Sequence, residues 1–465
     1  METLQRTANR GSISTGNYEI DNSLKFEPDN SEYIYRTPSS AGNRRTWTLS
    51  FWLKRTELGA SMRIFEAWDG STGTSALFTD ADLFILDLNA GSNYFTSSGV
   101  FRDTAAWYHF VIRVDTTSGT ASERARVYVN GSELAGSWNS NIGQNTDLTW
   151  NQDVAHNFAR FHNNDSFVSA YYAEIINVDG TSLAPTAFGE VDSDSGIWKP
   201  INASPTYGTN GFKLEFKTAG GLGADTSGNG HTWTLNAIAA ADQATDTPTN
   251  NFCTLNPLVN FKYGTNAGGM TNGATVFGDN TGGGIGGAFG TFGVTAGKWY
   301  WEVKLTQQSS HYIGVSAVDD GDNVKSSSDP HQINSTFNFN IGAARIEYIN
   351  GGSVTAGSLD AFTDFHTVGD IIGIALNMDD NQISIYGNGT LQAGVAASSL
   401  YDAANKMVVP FHGTINDECQ YNFGGYSVWT PSSAVNDANG YGTFEYSPPS
   451  GYYSLCTKNL SEYGG

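Results

Sequence analysis

The 465-residue chain reads as all-β, with two antiparallel β-sandwiches in tandem. Three observations predict this. In Trp47–Lys54, Trp47, Leu49, Phe51 and Leu53 fall on one side of an extended chain, and Thr48, Ser50 and Lys54 fall on the other with Trp52 among them. A second stretch, Trp299–Lys304, alternates in the same way with Trp299, Trp301 and Val303 inward. Between such runs lie clusters of Gly, Asn, Ser and Thr, and no long helical period appears. The 54 glycines and 13% aromatic residues fit many short strands joined by tight turns.

The bulk composition narrows the function. The length suits two or three domains. A net charge of -22 and a pI near 4.6 make a surface that repels phosphate, which argues against nucleic-acid partners and anionic membranes. Cys253, Cys419 and Cys456 are too few and too scattered for a disulfide framework or a metal motif, and they read as small buried hydrophobes. Met1–Gly11 contains no apolar h-region, so no secretory signal peptide is expected. No apolar run is long enough to span a bilayer. The expectation is synthesis in a cytoplasm, with display outside by a route such as assembly into a particle.

In chain order, residues 1–22 are polar and rich in Ser, Asn and Gly. They read either as a disordered terminus or as an arm that orders on a partner. Strand signals follow at Leu24–Phe26, Tyr33–Tyr35, Trp47–Lys54, Arg63–Phe65 and Leu83–Ile85. Trp107–Asp115 places Tyr108, Phe110, Ile112 and Val114 on one face. Arg126–Asn130 ends in the hairpin signal Asn130-Gly131, and Tyr171–Val178 closes the series. Regular short strands of this kind predict a sandwich.

The segments Trp47–Lys54, Trp107-Tyr-His-Phe-Val111, Val127-Tyr-Val-Asn-Gly131 and Tyr172-Ala-Glu-Ile175 resemble, in order and spacing, the laminin-G-like, concanavalin A-like lectin/glucanase jelly roll over residues 24–180. The resemblance implies a fold more than an activity, because that superfamily includes lectins, adhesion modules, enzymes and structural domains.

Asp179–Leu258 is loop-rich, with repeated X-Pro steps. Within it, Phe212, Leu214 and Phe216 face away from Lys213, Glu215 and Lys217, which predicts a strand that joins or crosses the first sandwich. Asp225-Thr-Ser-Gly-Asn-Gly230 has two readings. Oxygens of Asp225, Ser227 and Asn229 could hold Ca²⁺, or Asp225 bonds its own backbone in an Asx turn, which is the reading favoured here. The resembled family often carries such a turn near its sandwich edge, sometimes near calcium. Leu235–Ala244 reads as a short helix. Phe261–Thr295, dense in Gly, Asn and Thr, reads as a linker and the entry to the second domain.

The second series contains Gly297-Lys-Trp-Tyr-Trp-Glu-Val303, Ile313-Gly-Val315, Gly373-Ile-Ala-Leu376 with Asp379, Ile385-Tyr-Gly-Asn-Gly389, Val409-Pro410 and Asn422-Phe-Gly424. These are similar to the successive landmarks of a SPRY domain over about residues 270–430. The resemblance implies a module that binds peptides or partner surfaces through loops, and no enzyme. The tail 431–465 echoes Thr247-Pro-Thr-Asn-Asn-Phe-Cys253, and each copy reads as a strap on the sandwich before it. The expected organisation is therefore an arm over 1–22, a first sandwich with its extension over 23–258, a second over 259–430 and a strap over 431–465.

The search for chemistry yields little. Retaining glycoside hydrolysis needs two carboxylates about 5 Å apart, and Glu-x-Asp-x-x-Glu on one strand would supply them. Glu190-Val-Asp192-Ser-Asp194 lacks the last Glu and lies in a loop, so it is rejected. No nucleophile elbow, P-loop, dinucleotide fingerprint or zinc motif appears. His109 reads as a packing residue. His156, His162, His311, His331, His366 and His412 read as scattered over turns and strand edges without metal spacing. Trp68, Trp138 and Trp150, beside Asp69, Asn139 and Asn151, and the loop His162-Asn163-Asn164-Asp165 are the candidate glycan contacts. Aromatic faces flanked by amides are how a lectin site stacks and orients a sugar.

These features rank a non-enzymatic virion structural protein first: a fibre, knob or head-decorating protein. It would assemble with other virion proteins as a homo-oligomer and attach to host-surface glycans or proteins. The tandem order, the Asp225–Gly230 turn and the Pro-Thr-Asn-Asn-Phe strap together resemble structural proteins of aquatic phages. A cellular or secreted carbohydrate-binding or adhesion module ranks second, and a polysaccharide hydrolase or lyase third.

Overall fold

A computed structural model describes residues 18–263, 269–278, 285–307, 310–317, 336–343, 345–350, 353–356, 367–396, 407–415 and 418–464. Most of the arm expected over 1–22, parts of the 261–295 segment, and His331 and His366 lie outside these residues. The fold is nearly all β, and it divides into two compact units between Thr249 and Asn250.

In the first unit two eight-stranded sheets face each other. One runs Ser132–Glu133, Ala125–Val129, Tyr108–Asp115, Thr46–Arg55, Ala170–Asp179, Ser23–Phe26 and Gln243–Ala244, with Phe212–Leu214 also paired to Ala170–Asp179. The other runs Gly136–Trp138, Tyr94–Val100, Leu83–Asp87, Gly73–Phe78, Met62–Trp68, His156–Phe158, Tyr33–Arg36 and Thr234–Asn236. Trp47, Leu49, Phe51 and Leu53 enter the core between them with Phe110, Ile112, Phe65 and Phe158. Every strand predicted from alternation is present, but the one expected through Lys217 ends at Leu214, because Phe216 takes φ +54°.

Alternation predicts water on the opposite face of Thr46–Arg55, yet Thr48, Ser50, Trp52 and Lys54 are all buried. The extension after Asp179 covers them, and each polar group finds a partner, as burial requires. The Thr48 hydroxyl donates to the Thr181 carbonyl at 2.8 Å and accepts from the Leu183 amide. His109 stacks on Trp52 at 4.5 Å. Its Nδ1 accepts the Trp198 indole N–H at 2.8 Å, and its Nε2 lies 2.8 Å from Ser50 Oγ. Burial pushes the imidazole down to about 3, so it stays neutral. Asp246 pairs with Lys54 at 2.7 Å and accepts the Trp107 indole N–H at 3.0 Å.

Leu235–Ala244 is no helix. It forms a short strand, a three-residue 3-10 turn at Ala240–Asp242 and a second short strand, because Ala237 takes φ +56°, a left-handed conformation that a right-handed helix cannot contain.

In the second unit one sheet runs Leu255–Tyr263, Ile285–Gly290, Val408–Ile415, Ser310–Ala317, Thr336–Asn340, Arg345–Asn350 and Ser353–Ala356. The other runs Gly269–Thr271, Val276–Gly278, Glu418–Asn422, Lys298–Leu305, Ile371–Asn377, Gln382–Gly387 and Thr390–Ala396. The stretch expected to be a linker and the entry to the second domain therefore supplies strands of the second unit. Its glycines partly mark close packing, since a Cβ on Gly290 would meet Pro410 Cδ at 2.8 Å.

Trp299, Trp301 and Val303 are fully buried, as alternation predicts. Tyr300 and Glu302 on the opposite face are buried too, beneath the C-terminal segment. Tyr453–Ser454 pairs in parallel with Trp299–Tyr300, and a short helix, Thr457–Tyr463, follows. The C-terminal copy thus straps the sandwich before it, as expected, and the echo of the two Cys-containing segments has a second basis besides. Asn251–Cys253 runs antiparallel to Leu455–Thr457, with Cys253 N to Leu455 O and Thr457 N to Asn251 O both 2.8 Å. The two copies thus pair with each other.

Candidate ligand-binding site

The second sheet of the first unit carries a polar row on its outer face. Asp87, Ser75, Glu66, Asn157, Tyr35 and Thr234 are successive cross-strand partners in register. Their strand neighbours Leu86, Ala76, Phe65, Phe158 and Ile34 point into the core, so the row points away from it. Six strands at about 4.8 Å spacing make it roughly 24 Å long. The five residues Arg63, Trp68, Tyr33, Arg160 and His162 flank it.

The loop after His156–Phe158 is fastened over the middle of this row. The His162 amide donates to Glu66 Oε2 at 2.6 Å, and His162 Nδ1 lies 3.1 Å from the same oxygen. The His162 ring stacks on Trp68 with centroids 4.3 Å apart and planes 2° from parallel. The Arg63 guanidinium lies over Phe161 at 4.1 Å and donates to Ser75 Oγ at 2.7 Å. Arg160 lies over Tyr33 at 3.8 Å, donates twice to Asn157 Oδ1 and also bonds Asn164. These bonds hold the loop in one geometry before any ligand arrives.

The electrostatics follow from this placement. Burial pushes the Glu66 carboxyl up, and the Arg63 and His162 beside it pull it partly back. Burial also raises Asp87, against the Asn89 and Gly91 amides bonded to its oxygens. Asp69, next to Trp68, is held down to about 2, chiefly by the Thr72 amide. Two carboxylates, Glu66 and Asp87, thus share one face. They stand two strands apart, roughly 10 Å, which is wider than a retaining pair needs, and both are committed to local donors. A search for carboxylates along a single strand could not find them. The outward positions Arg63, Glu66 and Trp68 were the available signal, obscured by the bulge between Arg63 and Phe65.

The sequence candidates divide accordingly. Trp68 and His162 meet at the face, with Asn163 and Asp165 exposed at the loop tip. Trp138 lies elsewhere, half-buried against Phe95 on the edge strand. Trp150 is a correction, because it is fully buried in the core with its indole N–H on Asn177 at 2.9 Å and can touch no glycan. The calcium reading of Asp225, Ser227 and Asn229 is also corrected. Asp225 Oδ1 accepts the Lys213 and Ser227 amides, and Oδ2 accepts Ser227 Oγ–H and the His231 amide. A carboxylate filled with donors offers a cation no lone pair, so the turn is the self-bonded Asx kind. Asp192, in the rejected carboxylate run, likewise accepts the Asp194 and Ser195 amides and pairs with Lys199.

A cleft of about 540 Å³ opens on the other side of this unit, lined by residues that include Thr181, Leu183, Ile201, Ala203 and Pro205. It contains no titratable side chain. In the second unit, His311 and His412 stand within strands rather than at turns. They converge with Cys419 to place three ligand-type atoms within 4.8 Å of one another. Sequence spacing could not reveal this, because strand pairing brings together residues about a hundred positions apart.

Residues 28–175 match the family model of the concanavalin A-like lectin/glucanases superfamily, and residues 298–426 match that of the SPRY domain. The chain carries a concanavalin A-like domain followed by a SPRY domain. Among solved structures it is similar to the SPRY domain of human HERC1, at 18% identity over 36% of this chain and 96% of that one, with a TM-score of 0.27. It is also similar to domains LG4-5 of the mouse laminin alpha1 chain, at 10% identity over 96% and 90%, with a TM-score of 0.30. A SAP-like pentraxin from Limulus polyphemus matches at 18% identity over 36% and 78%, with a TM-score of 0.28. No curated protein matches the chain.

Proposed function

We propose that this chain is a non-enzymatic attachment protein. Its concanavalin A-like unit holds a carbohydrate on the outer face of the Trp68 sheet, and its SPRY unit docks a protein partner. The observation that carries the reading is the preorganised patch around the Arg160–Asp165 loop. There Tyr35 is exposed, Tyr33 is stacked under Arg160, and Trp68 and His162 stand beside the tip amides Asn163 and Asn164. Aromatic surface next to fixed donors and acceptors suits a polyhydroxylated ligand, which would rest on the loop and on the exposed Tyr35–Thr234 end of the row, since Ser75, Glu66 and Asn157 are buried beneath the loop. The charge of -22 points to neutral glycans rather than sulfated or phosphorylated ones. The further reading is a virion component displayed on a particle as a homo-oligomer.

A glycan array with the full chain tests the first part. Binding that falls at least tenfold in both Tyr35→Ala and Arg160→Ala, with unchanged circular dichroism, supports it. An array without hits, or hits that neither variant disturbs, overturns it. Mass spectrometry of purified particles from the source tests the second part, and absence from every particle would leave the cellular adhesin in its place.

A further inference from the structure

The SPRY unit contains a buried constellation that neither binding reading uses. His412, on Val408–Ile415, and His311, on the neighbouring strand Ser310–Ala317, belong to one sheet; Cys419 and Tyr421 come from Glu418–Asn422 in the facing sheet. His311, His412, Cys419 and Tyr421 are all buried, with exposures of 0%. Cys419 Sγ lies 3.1 Å from His311 Nδ1. His311 Nε2 lies 3.3 Å from the Gln307 carbonyl oxygen, and His412 Nδ1 lies 2.8 Å from the Tyr421 hydroxyl. Among the described residues, His412 Nε2 is buried with no hydrogen-bond partner.

Each imidazole therefore has one nitrogen against an oxygen of the surroundings. This is how a metal-ligating histidine is oriented and its tautomer fixed, with the second nitrogen left for the ion. A thiol donating to His311 Nδ1 would explain one contact. It would leave His412 Nε2 orphaned in the core, at a cost of about 1–3 kcal/mol. An ion shared by both rings and the sulfur removes that cost.

We propose that His311 Nδ1, His412 Nε2 and Cys419 Sγ form a structural site for a thiophilic transition-metal ion, Zn²⁺ or Cu⁺. Two neutral imidazoles and one thiolate form a borderline-soft donor set that suits these ions and not Ca²⁺ or Mg²⁺. Donors around such an ion stand about 3.5 Å apart, given bonds of roughly 2.0–2.3 Å. The present limit of 4.8 Å closes to that by side-chain movement of about 1 Å. Binding releases the Cys419 proton to solvent and leaves a single negative charge against the cation. With Cu⁺ the three ligands give a neutral trigonal centre, which suits a dry core. Zn²⁺ would take a fourth ligand as well.

The test incubates the full chain with Zn²⁺, or anaerobically with Cu⁺, removes excess ion by desalting and measures bound metal by plasma mass spectrometry. The expected result is about one ion per chain for one of the two metals, falling at least tenfold in both His412→Gln and Cys419→Ser. X-ray absorption on the loaded wild-type chain keeps the test independent of whether the variants fold. It should show one sulfur and two nitrogens around Cu⁺, and the same three with one further light ligand around Zn²⁺. Retention of neither metal, or a first shell without sulfur, overturns the proposal.

Discussion

Glu302 gives the sharpest test of the forces that hold the second unit. Its Oε2 accepts the Glu445 amide and its Oε1 the Tyr446 amide, both at 2.8 Å, so one side chain ties the C-terminal segment to the sheet. Burial pushes its carboxyl up to about 7 from an ordinary 4.5, although those amides, Tyr300 and Asn422 pull the other way. The protonated form is therefore the one the fold prefers. The associated stability is fully present below about pH 4.5 and is lost as pH rises to about 7, at about 1.4 kcal/mol per unit and about 3 kcal/mol in all. Glu302→Gln removes the titration and leaves one of the two amides facing an NH₂ at every pH. Hydrogen exchange at the Glu445 and Tyr446 amides, corrected for intrinsic rates, reads the local opening. Between pH 5 and pH 8 the opening constant of the wild-type chain should rise about 100-fold more than that of the variant. Equal pH dependence in the two proteins, or protection that grows with pH only in the wild type, would refute the reasoning.

Further outcomes are expected at two carboxylates. Asp246→Ala removes the carboxylate 2.7 Å from the fully buried Lys54 ammonium and should cost the first unit about 3–5 kcal/mol by urea unfolding; Lys54→Met in the same chain should restore most of it. Asp225→Ala should lower stability by about 1–3 kcal/mol through the amides left without an acceptor, and millimolar Ca²⁺ should leave the calorimetric melting curve of the wild-type chain unmoved, since donors already fill that carboxylate.

The fold was legible where one face of a strand is apolar. Trp47, Leu49, Phe51 and Leu53, and later Trp299, Trp301 and Val303, announce their cores because a period of two has no other use. The covered outer faces were not legible. Ser50, Lys54 and Glu302 look like solvent-facing residues, and only the tertiary structure brings His109, Asp246 and the C-terminal segment over them. The same limit governs the candidate sites. Trp68 and His162 could be named as types, but Trp150 has the same flanking amide signature and belongs to the core. Glu66 was invisible because its partners lie on other strands, and His412 because Tyr421 reaches it from the facing sheet.

The ends of the first unit lie side by side. The Ile20 amide donates to Thr249 Oγ1 at 3.1 Å, and that hydroxyl donates back to the Ile20 carbonyl at 2.9 Å. Ser23 and Leu24 pair antiparallel with Ala244 and Gln243 just inside. The unit thus begins and ends at one point and adds almost no length to the path of the polypeptide. Such a cassette can be spliced into a host loop, or opened elsewhere and rejoined across Ile20 and Thr249, without disturbing either sheet. Pulled apart at its two ends, it would yield by peeling, one pair of hydrogen bonds at a time, long before its core felt the load.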